Sequence, residues 1–169
     1  MNKMRIPRIE KLTLNIGAGK DPNKLEKALV LMKNLTGVDP YKTITQKRIP
    51  SWGLRPGLPV GCKLTLRKEA AVDMLKRLLV AKDKKLTISS FDANGNISFG
   101  IHEYIDIPDL KYDPKIGVIG LQVCVTLERP GHRIKRRRLL SKKLPKKQVI
   151  TRDDAIGFMK DNFGVEVQS

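Results

Sequence analysis

Residues 129–147 read RPGHRIKRRRLLSKKLPKK, with ten Lys or Arg in nineteen positions and no Asp or Glu. Like charges at this density repel one another and cannot be buried unpaired. The run is therefore expected to stay out of any core and to lie extended or flexible until a polyanion neutralises it. The core has to be assembled from the segments on either side. The imbalance also reaches beyond the run. The 169-residue chain has 34 basic and 17 acidic side chains, a formal charge of +17, and with the run set aside 24 basic residues still face 17 acidic ones, or +7. Basic residues crowd the first 70 positions, from Lys11 and Lys20 through Lys47, Arg48 and Arg55 to Arg67. At least two surfaces therefore face a polyanion, and its candidates are nucleic acid or an anionic membrane.

The flanking segments have clear periods. Residues 8–16 alternate, with Leu12, Leu14 and Ile16 apolar, which predicts a half-buried strand. Asp21 suits an N-cap and Pro22 the first helical position. Leu25, Ala28, Leu29, Met32 and Leu35 follow at helical spacing before Gly37. A short strand over 41–45 leads to residues 48–61, where three prolines and three glycines surround Trp52 and predict a long, irregular, exposed loop at about 47–60. Residues 62–67 read as a strand. Residues 68–79 read as a helix whose apolar face is Ala71, Met74, Leu75, Leu78 and Leu79. Strands are predicted over 86–91 and 97–101, joined by a tight turn at Asp92–Asn96, and again over 116–128. Thr151-Arg152-Asp153-Asp154 resembles a capping box, opening a last helix with Ala155, Ile156, Met159 and Phe163 on its apolar side. The strands lack a βαβ rhythm. The reading is an α+β fold with a mainly antiparallel sheet, helices packed on one face and a long basic C-terminal loop, in a single RNA-binding domain over 1–169.

Motifs for catalysis fail on inspection. In NIGAGKDP (15–22) a Walker loop would need Gly at Leu14 and a hydroxyl at Asp21, and a dinucleotide fingerprint would need a third Gly at Pro22. His102 sits at a strand end beside Glu103, and Asp106 and Asp109 flank Pro108 in what reads as a solvated turn. His132, inside the basic run, is suited to touch a phosphate or a base. Cys62 and Cys124 stand alone in apolar runs, expected as two buried thiols rather than a disulfide or metal ligands. No catalytic residue, metal or cofactor is expected. The N-terminus has no apolar signal region, and no segment approaches the roughly 20 apolar residues of a membrane span. The expected location is cytoplasmic. Ile134, Leu139, Leu140 and Leu144 make too thin an apolar face for membrane binding.

Nucleic acid remains. Neither a helix-turn-helix nor a zinc finger appears, whereas a Pro/Gly loop carrying Trp52 and Arg55 suits the irregular surface of structured RNA. Trp52 either stacks on RNA or anchors the loop inward. Phosphate contacts within the run are expected from Arg129, Arg133, Lys135, Arg136, Arg137, Arg138, Lys142 and Lys143. Two rival readings are a nucleotide-dependent enzyme built on 15–22 and a nonspecific polyanion binder.

Three blocks make the reading specific: PRIEKLTLNIGAG (7–19), GLRPGLPVGCKLTLR (53–67) and SFDANGNISFGIHE (90–103). In order and content they resemble the universal large-subunit ribosomal protein five family, over residues 5–128. The resemblance implies an α+β protein that binds 5S rRNA and large-subunit rRNA in the central protuberance. It also implies a contact with the P-site tRNA and neighbouring ribosomal proteins, including a small-subunit bridge protein. Carried over by motif, Lys11, Asn15 and Thr65 face 5S rRNA, and the tRNA-facing loop is 47–59, with Lys47, Arg48, Trp52 and Arg55. Bacterial members place a Gln after the first helix's terminal Gly, where this chain has Val38. Beyond Glu128 the basic run and following helix resemble the archaeal and eukaryotic-type branch.

Overall fold

The computed structural model describes residues 2–168. Its elements are β1 (Arg8–Gly17), α1 (Pro22–Thr36), β2 (Tyr41–Ile44), β3 (Pro59–Leu66), α2 (Lys68–Val80), β4 (Lys85–Thr87), β5 (Ile97–Ile101), β6 (Leu121–Glu128), α3 (Arg133–Arg136), α4 (Arg152–Phe163) and β7 (Glu166–Gln168). A mainly antiparallel sheet has the strand order β2-β3-β1-β6-β5, and β4 pairs with β7 separately, in parallel. The α+β reading holds. Two compact units share the chain. One is built from the residues up to Leu12, Arg67–Phe99 and the residues from Cys124 on; the other comprises Thr13–Leu66 and Gly100–Val123.

In the second unit, alternation sends Leu14 and Ile16 of β1 and Cys62, Leu64 and Leu66 of β3 to the buried side. α1 covers β3 with Leu25, Ala28, Leu31, Met32 and Leu35, and the Cys62 and Met32 sulfurs lie 3.7 Å apart. Each Leu, Ile or Met among them contributes about 1.5–3 kcal/mol when fully buried. The helix turns Leu31 inward and leaves Leu29 half-buried, which shifts the expected stripe by part of a turn. Asp21 caps α1 as expected, accepting from the Asn23 and Lys24 N–H groups, with Pro22 at N1 and a left-handed Gly37 at the end. The strand predicted over 116–128 begins only at Leu121. Gly120 abuts the end of β5 so closely that a Cβ there would lie 2.6 Å from the His102 carbonyl oxygen, and this crossing sets the limit of β6. Before it, the chain is held by Tyr104, whose buried hydroxyl accepts from the Asp113 N–H at 2.9 Å.

In the first unit, α2 buries the five residues its period predicts. The strand predicted over 86–91 is corrected: β4 stops at Thr87, a 3-10 turn follows at Ile88–Ser90, and Phe91 makes a single bridge to Ile97. The tight turn is present, with Gly95 N–H donating to Asp92 O at 3.0 Å, but the hairpin is one pair long. β4 finds its partner in β7, three residues beyond α4 that carry no pattern long enough to read. The capping box at Thr151 and Asp154 forms in both directions, and α4 ends at a left-handed Gly164.

Candidate nucleic-acid surfaces

Along β1, β3 and β6 polar residues alternate with the buried apolar ones and lie on the opposite face of each strand. In the second unit, Thr13 and Asn15 project from β1, Lys63 and Thr65 from β3, and Gln122 from β6. Asn15 Nδ2 donates to Gln122 Oε1 at 3.0 Å. That bond uses one of the amide's two N–H donors and leaves its carbonyl oxygen available to a base edge or a ribose hydroxyl. In the first unit, the same parity places Lys11 on the outer face of β1, and Cys124 and Thr126 on that of β6.

The glycine stretch 15–22 is no phosphate cradle. A cradle needs backbone N–H groups free to meet the anion. Here Ala18 and Gly19 both donate to Val60 O, at 2.9 and 3.0 Å. The stretch is a turn that ties the end of β1 to β3.

The loop after β2 is more ordered than its composition implies. Thr45 N–H donates to Leu58 O, Gly57 N–H donates to Thr45 O, and Ile49 and Leu54 exchange backbone bonds of 3.0 Å, so the segment is a rolled extension of the β2-β3 hairpin. Leu54 is its buried anchor. Trp52 is therefore not needed inside, and at 68% exposure it stands at the tip in a 3-10 turn, with Lys47, Arg48 and Arg55 also exposed.

The basic run is not extended. His132 leads into the helical turn α3, and the chain then folds back: Lys142 N–H donates to Ile134 O, Ser141 Oγ to Lys135 O, and Arg137 Nε to Leu140 O. Counterions come from outside the run on both sides. Glu128, 6% exposed, accepts Arg8 Nε and Nη2 on one oxygen at 3.1 and 2.8 Å and Arg136 Nη2 on the other at 2.9 Å, with His132 Nδ1 at 3.6 Å. Arg136 also reaches Glu10, which pairs in turn with Arg67. Arg129 donates to Asp154 at 2.9 Å and to the carbonyls of Lys147 and Val149. Arg129 and Arg136 are thus occupied within the protein, while Arg133, Lys135, Arg137, Arg138, Lys142 and Lys143 are exposed.

The two thiols differ, which corrects the expectation that both are buried. Burial pushes the Cys62 thiol up to about 11, whereas Cys124 is exposed on β6. A thiol reagent at pH 8 is therefore expected to modify Cys124 within minutes and to reach Cys62 only on unfolding. Two equivalents reacting at one rate under native conditions would contradict this placement.

Comparison with known proteins bears on the whole chain. The model of the family described as "Ribosomal protein L5" matches residues 2–55, and a second model, describing the C-terminus of the same ribosomal family, matches residues 59–149. A "Large ribosomal subunit protein uL5" from Methanosphaera stadtmanae is 44% identical over 99% of this chain and 100% of its own length. Proteins of the same description from Sulfolobus acidocaldarius (45%, covering 98% of this chain and 93% of the relative) and Nanoarchaeum equitans (48%, covering 97% of each) are similar over the same span.

Proposed function

The chain belongs to the ribosomal protein L5 family, as a large-subunit ribosomal protein and not an enzyme, and from that premise we propose that it binds 5S rRNA through the open face of its sheet. The observation that carries the reading is the Asn15–Gln122 amide pair, with Lys63 and Thr65 exposed on the neighbouring strand β3: a recognition group held in place by a neighbour, with a cation on the next strand for a phosphate. Lys11 extends the contact along β1. The exposed members of the basic run, Arg133, Lys135, Arg137, Arg138, Lys142 and Lys143, neutralise large-subunit rRNA phosphates. The 47–59 loop, with Lys47, Arg48, Trp52 and Arg55 outermost, faces the P-site tRNA, and neighbouring ribosomal proteins, including a small-subunit bridge protein, complete the surroundings in the central protuberance. The site of action is the cytoplasmic ribosome.

Asn15→Ala is expected to weaken 5S rRNA binding by about 1–3 kcal/mol, the scale of a polar group left unpaired in a desolvated interface, with little effect on folding. Binding should also fall steeply with salt, since each neutralised phosphate releases counterions. Filter binding should rank 5S rRNA above unrelated RNA and anionic vesicles, and 5S rRNA should slow the modification of Cys124. Equal affinity for all three ligands would return the protein to a general polyanion binder, and an unchanged Asn15→Ala affinity would remove that residue from the site.

A further inference from the structure

A cleft of about 890 Å3 lies entirely within the first unit, lined by Glu10 and Lys11 of β1, Thr126 and Leu127 of β6, the 94–96 turn and the folded-back basic run. That volume is in the range of pockets that enclose small organic ligands, about 300–1,000 Å3, and it is too small for a nucleic-acid duplex. Its chemistry is sorted. Lys135, Lys142 and Lys143 supply positive charge, Leu127, Val149 and Ile150 supply apolar surface, and Asn94, Asn96 and Ser141 supply neutral polar groups. The acid lining it, Glu10, is already taken by Arg136 and Arg67.

Two details show that the cleft is built. The 92–96 turn forms part of its wall and is fixed from within: Asp92 accepts Asn96 Nδ2 at 3.2 Å and the Ala93 N–H at 2.7 Å. Gly95, at φ +75°, lets this turn close over Ile150, for a Cβ at that position would lie 2.5 Å from the Ile150 side chain. The second detail is His132. It lines the cleft with Nε2 buried and bonded to nothing among the described residues, while Nδ1 faces Glu128. That nitrogen is covered in the structure, and a ligand entering the cleft could partner it once the ring turns toward the opening.

We propose that this cleft receives a single unpaired ribonucleotide of rRNA, with its phosphates on Lys135, Lys142 and Lys143, its base against Leu127, Val149 and Ile150, and a base or ribose group hydrogen-bonded to His132 Nε2. The inference rests on the RNA-binding reading above and adds a second site, which adjoins the first at Lys11. Unpaired nucleotides suit such a place because their bases are free to leave the stack and present both a face and a hydrogen-bonding edge. Asn94 and Asn96 then offer amide groups to the base edge from a turn that is already fixed.

The test uses the full chain and short oligoribonucleotides, hexaadenylate and hexauridylate, which contain no 5S rRNA, so this site and the 5S reading fail or succeed separately. Lys142→Gln/Lys143→Gln is expected to bind the hexamers about tenfold more weakly at 0.1 M salt, with a salt slope smaller by about 1–2. Lys76→Gln/Lys160→Gln removes equal charge from α2 and α4 and should change binding less than threefold. A 4-thiouridine hexamer should crosslink to the 92–96 turn or to residues 132–144, and the His132 ring resonances should shift on saturation. Equal losses in the two double variants, crosslinks elsewhere, or competition by inorganic polyphosphate that leaves the His132 ring unmoved would overturn the nucleotide assignment. Binding of 5S rRNA with no hexamer binding would overturn this site alone.

Discussion

Arg129→Ala is expected to destabilise the protein by about 2–4 kcal/mol, the range between losing several hydrogen bonds and breaking a covered ion pair. The Arg129 side chain is only 13% exposed and holds three groups together: the Asp154 carboxylate at 2.9 Å and the carbonyls of Lys147 and Val149 at 3.1 and 3.3 Å. It therefore closes the two ends of the basic run on each other and fixes the first turn of α4. By contrast, Arg138 is exposed, and Arg138→Ala should alter stability by no more than about 0.5 kcal/mol while weakening rRNA binding. Urea unfolding of the two variants separates these roles, and equal stabilities would show that the Arg129 contacts contribute nothing net. Acid should show the same site. Burial tends to raise the Asp154 pKa, but the Thr151 N–H and hydroxyl and the Arg129 guanidinium outweigh it and hold the carboxyl below its ordinary value. A folded-state pKa that is depressed contributes stability above the unfolded value of about 4, and that contribution fades as pH falls through the lower folded value. Arg129→Ala should make this acid-side loss smaller.

The sequence reading succeeded where structure is local. The β1 alternation, the Asp21 and Thr151 caps and the apolar face of α2 each follow from neighbours within a turn or two of the chain, and each formed as its pattern implies. It failed where the partner lies outside the segment being read. Residues 129–147 contain no acid, so a local window reads them as self-repelling. Their counterions are Glu10, Glu128 and Asp154, and Glu10 is joined to Arg136 from the far end of the chain. β7 is three residues long and exists only because β4 accepts it. The loop around Trp52 has a composition that forbids a long strand but says nothing against two short bridges closed by a buried Leu54. Among the candidate contacts, Lys11, Asn15 and Thr65 come from the family resemblance, and each stands on the face of its strand opposite the buried residues. Gln122 was missed as Asn15's partner because cross-strand register is set by the fold and not by β6 alone. The Asn94–Asn96 turn was not legible as a wall of the cleft that His132 lines, because the two are more than 30 residues apart.

Glu128→Ala should cost about 2–4 kcal/mol for a different reason, since a buried carboxylate with several partners is being removed. At 6% exposure Glu128 draws Arg8, Arg136 and His132 to one point, and deleting it leaves three nitrogen-bearing side chains with only Glu10 nearby, already shared with Arg67. The Arg8 and Arg136 side chains are half-exposed or more and can turn to water, which keeps the loss from rising further. Glu128→Gln keeps the shape and one acceptor oxygen and should cost about half as much. The consequence for function is more informative than the stability. With its anchor gone, the 133–142 segment should exchange its amide hydrogens faster and revert to the extended polycation that its composition describes. Nonspecific RNA binding should then hold or rise, because the variant is one unit more positive, while hexamer binding in the cleft should fall about tenfold, because Lys135, Lys142 and His132 no longer converge. If both kinds of binding changed together, the ion-pair network would be a source of stability alone. Opposite changes would mean that Glu128, an acidic residue in a protein of charge +17, is what turns a run of charge into a shaped RNA site.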